Sequence, residues 1–392
     1  MLKNLIFFII ISFFFSCKHK LSEQRYEPIN DVNRDSINII NIDTALFNIK
    51  KDFKISKLFN KIEYLILEGN QYNPVYQVDK IKYFEGKYFI ADFNLSKTFF
   101  AFSSKGHFLF KIDTKNKHGL LSIDDFSINS KLKQINILCT KKNRVFKYSM
   151  EGQFISSHNI PSGFTKIENF NDGKYMLYRS SSYSPRDIFN NAELVILNEN
   201  FTFNTCYFSE VFNKKLSFEN SNCFNNNTTN ILFNRIYTPE IFEIHSDNKI
   251  FSKYYFNTDT SFLLDARKSD DYGAFAEIIE DQTFLIETPV ELKKKLFFNL
   301  INKGKVVKGI YFIDSQWLSL FSSYLNDIDE IPISNFMDVN KEFITTVLPG
   351  YIVEEMINLN KKNTGKPAES LLNIYKNIKN IENPVIVKLY LK

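Results

Sequence analysis

The stretch "SSKGHFLFKI" at residues 103–112 returns at residues 149–158 as "SMEGQFISSH". Each is a glycine turn leading into a strand-like run, and each follows a segment of hydrophobic-x-hydrophobic type. Looser echoes stand at 197–206, "LNENFTFNTC", and at 301–310, "INKGKVVKGI". The first interval is 46 residues, from 103 to 149, within the range of propeller blades. Around the first copy, "KIEYLIL", "VDKIKYF", "KYFIAD", "KTFFAFS" and "HFLFKID" are short runs rich in aromatic and β-branched residues, with "EG", "NLS" and "SKG" among the separators. Such runs read as strands and the separators as turns. One small antiparallel sheet cannot bury both faces by itself. Four-stranded sheets repeated radially around an axis bury each blade against the next and leave only short edges. The chain is therefore expected to be all-β, a β-propeller of four-stranded antiparallel blades. A sandwich would use the same short strands but would leave the 46-residue echo unexplained.

Composition agrees with that reading. The 392 residues include 41 Phe and 20 Tyr but only 12 Gly and 10 Pro, a balance that suits half-buried pleated surfaces joined by Asn and Asp turns. Charges of both signs are interspersed, and a net charge of +5 gives nucleic-acid binding no electrostatic footing. Near the end, "PAESLLNIYKNI" carries apolar residues at helical spacing, so a small helical insertion is expected near the C-terminus. The terminal "NPVIVKLYLK" alternates again, with Val385, Val387, Leu389 and Leu391 on one face, as a strand does.

The chain opens on "LIFFIIISFFFSCKHK", residues 5–20. Its apolar run follows Lys3 and is too short for a hydrocarbon core that needs roughly 20 residues; with a small residue before the cut it has the secretory pattern. The stretch Phe14-Phe15-Ser16-Cys17 resembles the lipobox of bacterial lipoproteins, whose cysteine is acylated and becomes the new N-terminus, although Phe14 stands where leucine is usual. Residues 1–16 are thus expected to be a lipoprotein signal peptide, 17–44 the lipidated Cys17 and a flexible tether, and 45–392 the folded body. Of the other cysteines, Cys139 in "INILCT" reads as a small buried hydrophobe, while Cys206 and Cys223 flank one loop and their pairing is left open. No two cysteines have zinc-site spacing and the five histidines are scattered, so neither a metal nor another cofactor is indicated.

From about Asn41 to Lys392 the sequence resembles the six-bladed β-propeller lipoproteins of Gram-negative bacteria, relatives of NHL-repeat propellers. The likeness is spread over "IEYLILE", "VDKIKYFEGKYFIADFNLSKTFFAFSSKGHFLFKI", "SIDDFSIN", "LFNRIYTPEIFEIHSDNKIFSKYYF", "LFFNLINKGKVVKGI" and "NPVIVKLYLK". It implies six blades, with "IEYLILE" entering the first, "SIDDFSIN" opening the second and residues 384–392 closing the ring near "KIEYLIL". It also implies an outer-membrane lipoprotein; the basic "KHKLSE" after Cys17, where surface-exported relatives often carry an acidic run, points to the periplasmic side. Members usually have a Gly-Pro-Gly-Glu-Tyr-like loop before the Asp-Phe pair, and here "NKHGLLSIDDF" keeps Asp125 and Phe126 but only Gly119 of that loop.

No nucleophile elbow, phosphate loop or metalloprotease motif occurs in the sequence, and no catalytic residue is assigned. The candidate ligand-binding residues are Arg179, Tyr183, Arg186 and Asp187 in "RSSSYSPRD", a polar loop of the third blade, because loops on a rigid scaffold concentrate binding groups. Asp125, beside Asp124, is a further candidate at the opening of the second blade, against a turn-capping role. Glu277, Glu280 and Asp281 in "EIIED" read as a solvated turn, His118 and His158 as surface histidines, and Trp317 as core or inter-blade packing. The expected function is a membrane-anchored binding or scaffold module for a protein, peptide or glycan of the cell envelope, and not an enzyme. The alternatives are a propeller glycan lyase or hydrolase and a structural subunit of an envelope complex, since fold alone does not decide function. If acyl chains at Cys17 are the sole membrane attachment after cleavage, Cys17→Ser abolishes metabolic palmitate labelling and leaves a soluble or uncleaved precursor. Label that persists in the variant contradicts the lipobox reading.

Overall fold

The computed structural model describes residues 25–68, 74–115, 118–179, 188–189, 191–209, 222–227, 230–235, 238–258, 282–363, 369–378 and 383–392. They form a six-bladed β-propeller. Blade 1 comprises Lys80–Phe84, Lys87–Asp92, Thr98–Ser103 and Phe108–Asp113; blade 2, Asp125–Asn129, Gln134–Cys139, Arg144–Ser149 and Phe154–Asn159; blade 3, Lys166–Asn169, Tyr175–Tyr178, Leu194–Leu197 and Phe203–Tyr207. Blade 4 comprises Phe224–Asn227, Asn230–Asn234, Glu240–Ile244 and Ile250–Asn257. In blade 5 the first strand is broken into Thr283–Leu285 and Val290–Leu292, followed by Lys295–Asn302, Lys305–Phe312 and Trp317–Leu325. Within each blade the strands pair antiparallel in sequence order, and the first strands of the blades meet around the axis.

Blade 6 is built from both ends of the chain. Phe336–Val339, Phe343–Leu348 and Val385–Leu391 are joined on the outside by Phe59–Ile66, in antiparallel register from Val385 opposite Ile66 to Leu391 opposite Phe59. The segment "IEYLILE" therefore closes the last blade from outside instead of entering the first. Both faces of the C-terminal strand are buried: Val385, Val387, Leu389 and Leu391 pack with blade 5 and the two helices, and Ile386 packs with blade 1. The helices, Gly350–Asn363 and Glu369–Asn377, lie in the connection between the second and third strands of blade 6. At the seam Glu63 accepts from Tyr390 Oη at 2.7 Å and pairs with Lys388 at 3.3 Å. Lys61 and these partners hold the Glu63 carboxyl at a pKa of about 2.

The core is not central. Six apolar clusters among the described residues each lie between consecutive blades, for example Phe89, Phe99, Phe126 and Phe146 between blades 1 and 2. The aromatic excess is thus blade-to-blade packing. Cys139, Cys206 and Cys223 are buried in three of these layers, in the thiol form, and Cys206 and Cys223 are not bonded to each other.

The sequence echo has a structural cause. In blades 1 to 4 the turn between the third and fourth strands repeats one pair of hydrogen bonds: Ser103 N to His107 O with Gly106 N to Ser103 O, then Ser149 with Gln153 and Gly152, Asn198 with Thr202 and Phe201, and His245 with Lys249 and Asn248. The fourth residue is left-handed in each, with φ of 83° and 81° at Gly106 and Gly152, 64° at Phe201 and 70° at Asn248. The echo at 301–310 is a different turn, between the second and third strands of blade 5. Blade 4's true counterpart, "HSDNK", escapes the pattern because Asn248 replaces glycine.

The segment expected to be a flexible tether lies, from residue 25 onward, along the rim. Tyr26 stacks on Phe203, Ile29 bridges to Tyr207 and Asn33 to Phe251. Asn38–Asn41 and Lys50–Lys54 then pair parallel with the outermost strands of blades 4 and 5. An outer strand offers a row of unpaired backbone groups, and this strap supplies their partners while Ile40, Ile42 and Phe53 are buried beneath it. Trp317 is a further correction: it is 46% exposed, packed on Phe312 under the Lys50 ammonium at the rim and not in the core.

A Cβ at Gly152 would run into the Phe110 ring of blade 1. Gly152→Ala is expected to cost about 1–2 kcal/mol for the left-handed backbone and about 1–3 kcal/mol for overpacking. Urea denaturation checks this, and an unchanged midpoint contradicts the turn's role.

Candidate functional site

Strand alternation puts the strand ends joined from second to third strand, and from blade to blade, on one face of the disc; the ends joined by the other hairpin turns lie on the opposite face. The first strands enter the axis from the former face, the mouth. Three of them align as Asp79-Lys80-Ile81-Lys82, Asp124-Asp125-Phe126-Ser127 and Thr165-Lys166-Ile167-Glu168.

The axis is occupied by lysines and carboxylates within ion-pair distance of one another, although Glu168 Oε2 accepts no hydrogen bond and burial raises the Asp338 pKa. The Lys80 ammonium pairs with Asp125 at 2.8 Å and donates to Phe126 O at 2.7 Å. The second Asp125 oxygen accepts from Ile167 N at 2.8 Å, so this one carboxylate ties blades 1, 2 and 3. Lys82 lies 3.4 Å from Asp338 of blade 6 and 3.7 Å from Glu168 of blade 3. Burial opposes its charge, but those two carboxylates outweigh the desolvation and raise its pKa. The Asp338 carboxylate also accepts from Tyr83 N at 3.0 Å. Ions this deep lose several kcal/mol of hydration each, roughly, and are tolerated only when paired and hydrogen-bonded.

Above them is a cavity of about 270 Å³ lined by Asp79, Phe93, Asn94, Asp124, Thr140 and Lys166. Asp79 and Asp124, each one residue before an inner strand, do the same local work. Asp79 accepts from Phe93 N at 2.6 Å, and Asp124 from Thr140 N and Oγ1 at 2.7 and 2.9 Å. Each carboxylate thereby fixes the connection between the second and third strands of its own blade. Lys166 is different: it is 7% exposed, its ammonium sits 5.9 Å from the Phe93 ring centroid, and it has no hydrogen-bond or ion-pair partner among the described residues. The Cys223 thiol, in the charge field of Lys166, Asp125 and Lys80, is pushed up by burial.

The sequence candidates divide accordingly. Asp125 is in the axis, fully buried as an inter-blade clamp, and the turn-capping role belongs to its neighbour Asp124. Arg179 anchors the base of the blade 3 loop: its Nε donates to Ala192 O at 2.7 Å and its guanidinium lies over Phe164. Tyr183, Arg186 and Asp187, like Glu277, Glu280 and Asp281, lie outside the described residues. His118 stacks on Phe154 and His158 on Phe201, and among the described residues no three His, Cys, Asp or Glu side chains converge as a metal site. Sequence reading missed the bidentate pair of Arg235 with Glu193, at 2.8 and 3.1 Å across blades 3 and 4. Nothing local marks it, because its members are 42 residues apart.

A family model, the domain of unknown function DUF4934, matches residues 37–390. The chain belongs to that family. The match begins at the rim strap and runs to the closing strand, so the DUF4934 unit is the whole ring. None of the curated proteins matches the sequence. Among solved structures, a Bacteroides fragilis protein assigned as exported superposes with a TM-score of 0.67 at 13% identity, covering 91% of this chain and 100% of its own. A DUF4221 family member from Bacteroides vulgatus has a TM-score of 0.47 at 11% identity, over 86% of this chain and 97% of its own. Virginiamycin B lyase of Staphylococcus aureus has 0.43 at 10%, over 85% and 99%. The first likeness is one of fold, and the other two are too distant to carry argument.

Asp125→Ala in this DUF4934 chain strands the buried Lys80 ammonium and the Ile167 amide. A loss of about 3–5 kcal/mol follows, read by chemical denaturation; a loss below about 1 kcal/mol would contradict the clamp.

Proposed function

We propose that this protein is an exported, lipid-anchored binding module that takes a protein, peptide or glycan of the cell envelope at the mouth of the propeller. The observation that carries the reading is the contrast along the axis. The deep charges are consumed by one another, whereas Lys166 lines the open cavity above them with its ammonium uncommitted. The strand ends that the connections of variable length join are on the same face, and loops on a rigid scaffold concentrate recognition. Export has support from the apolar leader of the sequence and from the exported assignment of the Bacteroides fragilis relative; Cys17 is the proposed anchor, with the disc on the periplasmic side of the outer membrane. No helix among the described residues is long and apolar enough to cross a membrane. The pairing of Asp125 with Lys80, and of Glu168 and Asp338 with Lys82, supports binding over glycan hydrolysis, which needs a second carboxyl open to sugar or water.

The test is site-specific photo-cross-linking in cells, with the reactive side chain at Asn94 on the mouth or at Glu151 on the opposite face. A discrete envelope component captured from position 94 and not from position 151 supports the proposal. Capture from 151 alone, or equally from both, overturns it.

A further inference from the structure

A second lysine is buried without a partner, on the face away from the mouth. Lys147, in the third strand of blade 2, points toward blade 3 on the side that carries Val145, and it is 7% exposed. Its ammonium lies 5.2 Å from the Tyr175 ring centroid and 4.9 Å from that of Phe201, with no hydrogen-bond or ion-pair partner among the described residues. It lines a cleft of about 560 Å³ between blades 2 and 3, together with Gln134, Ser156, Asn198, Glu199 and Thr202. The position lies in the layer between blades 2 and 3, opposite the buried Asn136 in register, and an unpaired cation is costly at such a depth. Burial accordingly lowers the Lys147 pKa.

Three neighbours bear on what would relieve that cost. The Gln134 Oε1 atom is buried with no hydrogen-bond donor. Glu199 lines the cleft but is committed to Lys131 at 2.7 Å, and its negative charge disfavours a dianion there. His158 stacks on Phe201 and bonds Ser156 Oγ at 3.1 Å; burial, and then the positive charge of Lys147, lower its pKa. The fourth observation is Phe201 itself. It occupies the left-handed turn position that Gly106 and Gly152 fill in blades 1 and 2, at φ 64°. That is an unfavourable backbone for a bulky side chain, and its effect is to place a ring against both Lys147 and His158. Local rules broken in this way mark functional positions.

We infer that this cleft binds a small hydroxylated monocarboxylate, its carboxylate on Lys147 Nζ and a hydroxyl donating to Gln134 Oε1. The cleft has room for a sugar acid or hydroxy acid, with Leu132 and Ile155 as its apolar lining and the Tyr175 and Phe201 rings holding the Lys147 ammonium from behind. The site is separate from the mouth and does not rest on the reading given for it.

Isothermal titration of the full chain in detergent, with D-glucuronate, D-galacturonate and L-lactate as probes and D-glucose and inorganic phosphate as controls, tests the inference. Saturable binding of at least one carboxylate, weakened about ten-fold or more by Lys147→Met as expected for a charge-assisted hydrogen bond, supports it. Lys147→Met removes an unpaired buried charge, so its melting midpoint is expected to equal or exceed that of the wild type, which separates lost binding from lost folding. Gln134→Glu, which brings an intramolecular carboxylate to Lys147, is expected to abolish binding as well. No saturable binding of any carboxylate, equal binding by Lys147→Met, or binding of phosphate in place of the carboxylates overturns it.

Discussion

Everything in this ring depends on the pairing of Phe59–Ile66 with Val385–Leu391. A blade has two apolar faces and no interior of its own, so each is stable only while both neighbours are present. Six inter-blade layers make a cycle, and the cycle is completed by a blade whose outer strand comes from the start of the body and whose other three come from its end. The seam is built for that duty. Four residues of the C-terminal strand face one core and Ile386 faces another, and Glu63 of one strand holds Lys388 and Tyr390 of the other.

Closure also explains what surrounds it. The strap over blades 3 to 5 arrives at blade 6 as its outer strand, so the same stretch of chain that covers exposed edges delivers the closing pair. At the axis the blades are pinned a second time, by Asp125 across blades 1, 2 and 3 and by Lys82 between blades 3 and 6. A disc pinned at seam and axis is a rigid platform, and rigidity is what a recognition surface made of loops requires. The two uncommitted lysines, Lys166 at the mouth and Lys147 in the lateral cleft, stand out against that background of paired charge.

The sequence disclosed those features that are repeated and local. The serine and glycine of 103–106 and 149–152 are visible because one turn geometry demands them: Ser103 and Ser149 Oγ accept from the turn's own amides, and the glycines take the left-handed position. The alternation of 385–391 was legible for the same reason. The strap was not, because its parallel pairing uses main-chain groups that any sequence carries, although "INIIN" alternates weakly. Asp125 could be singled out, but its role could not, since Lys80 and Ile167 reach it from other blades. Lys147 in "RVFKYS" looks like an ordinary solvent-facing strand position, and only the approach of Tyr175 and Phe201 from blade 3 makes it a buried one.

The most direct test of closure is equilibrium unfolding of the chain lacking residues 384–392 beside the intact chain, followed by tyrosine fluorescence and circular dichroism. Each buried Val or Leu removed is worth about 1.5–3 kcal/mol against a total of about 5–15 kcal/mol, and Phe59–Ile66 would be left without its partner strand. The account predicts that the truncated chain loses its cooperative transition across all six blades and aggregates. A monodisperse truncated protein with an unchanged midpoint would contradict it and would mean that the ring holds without its seam.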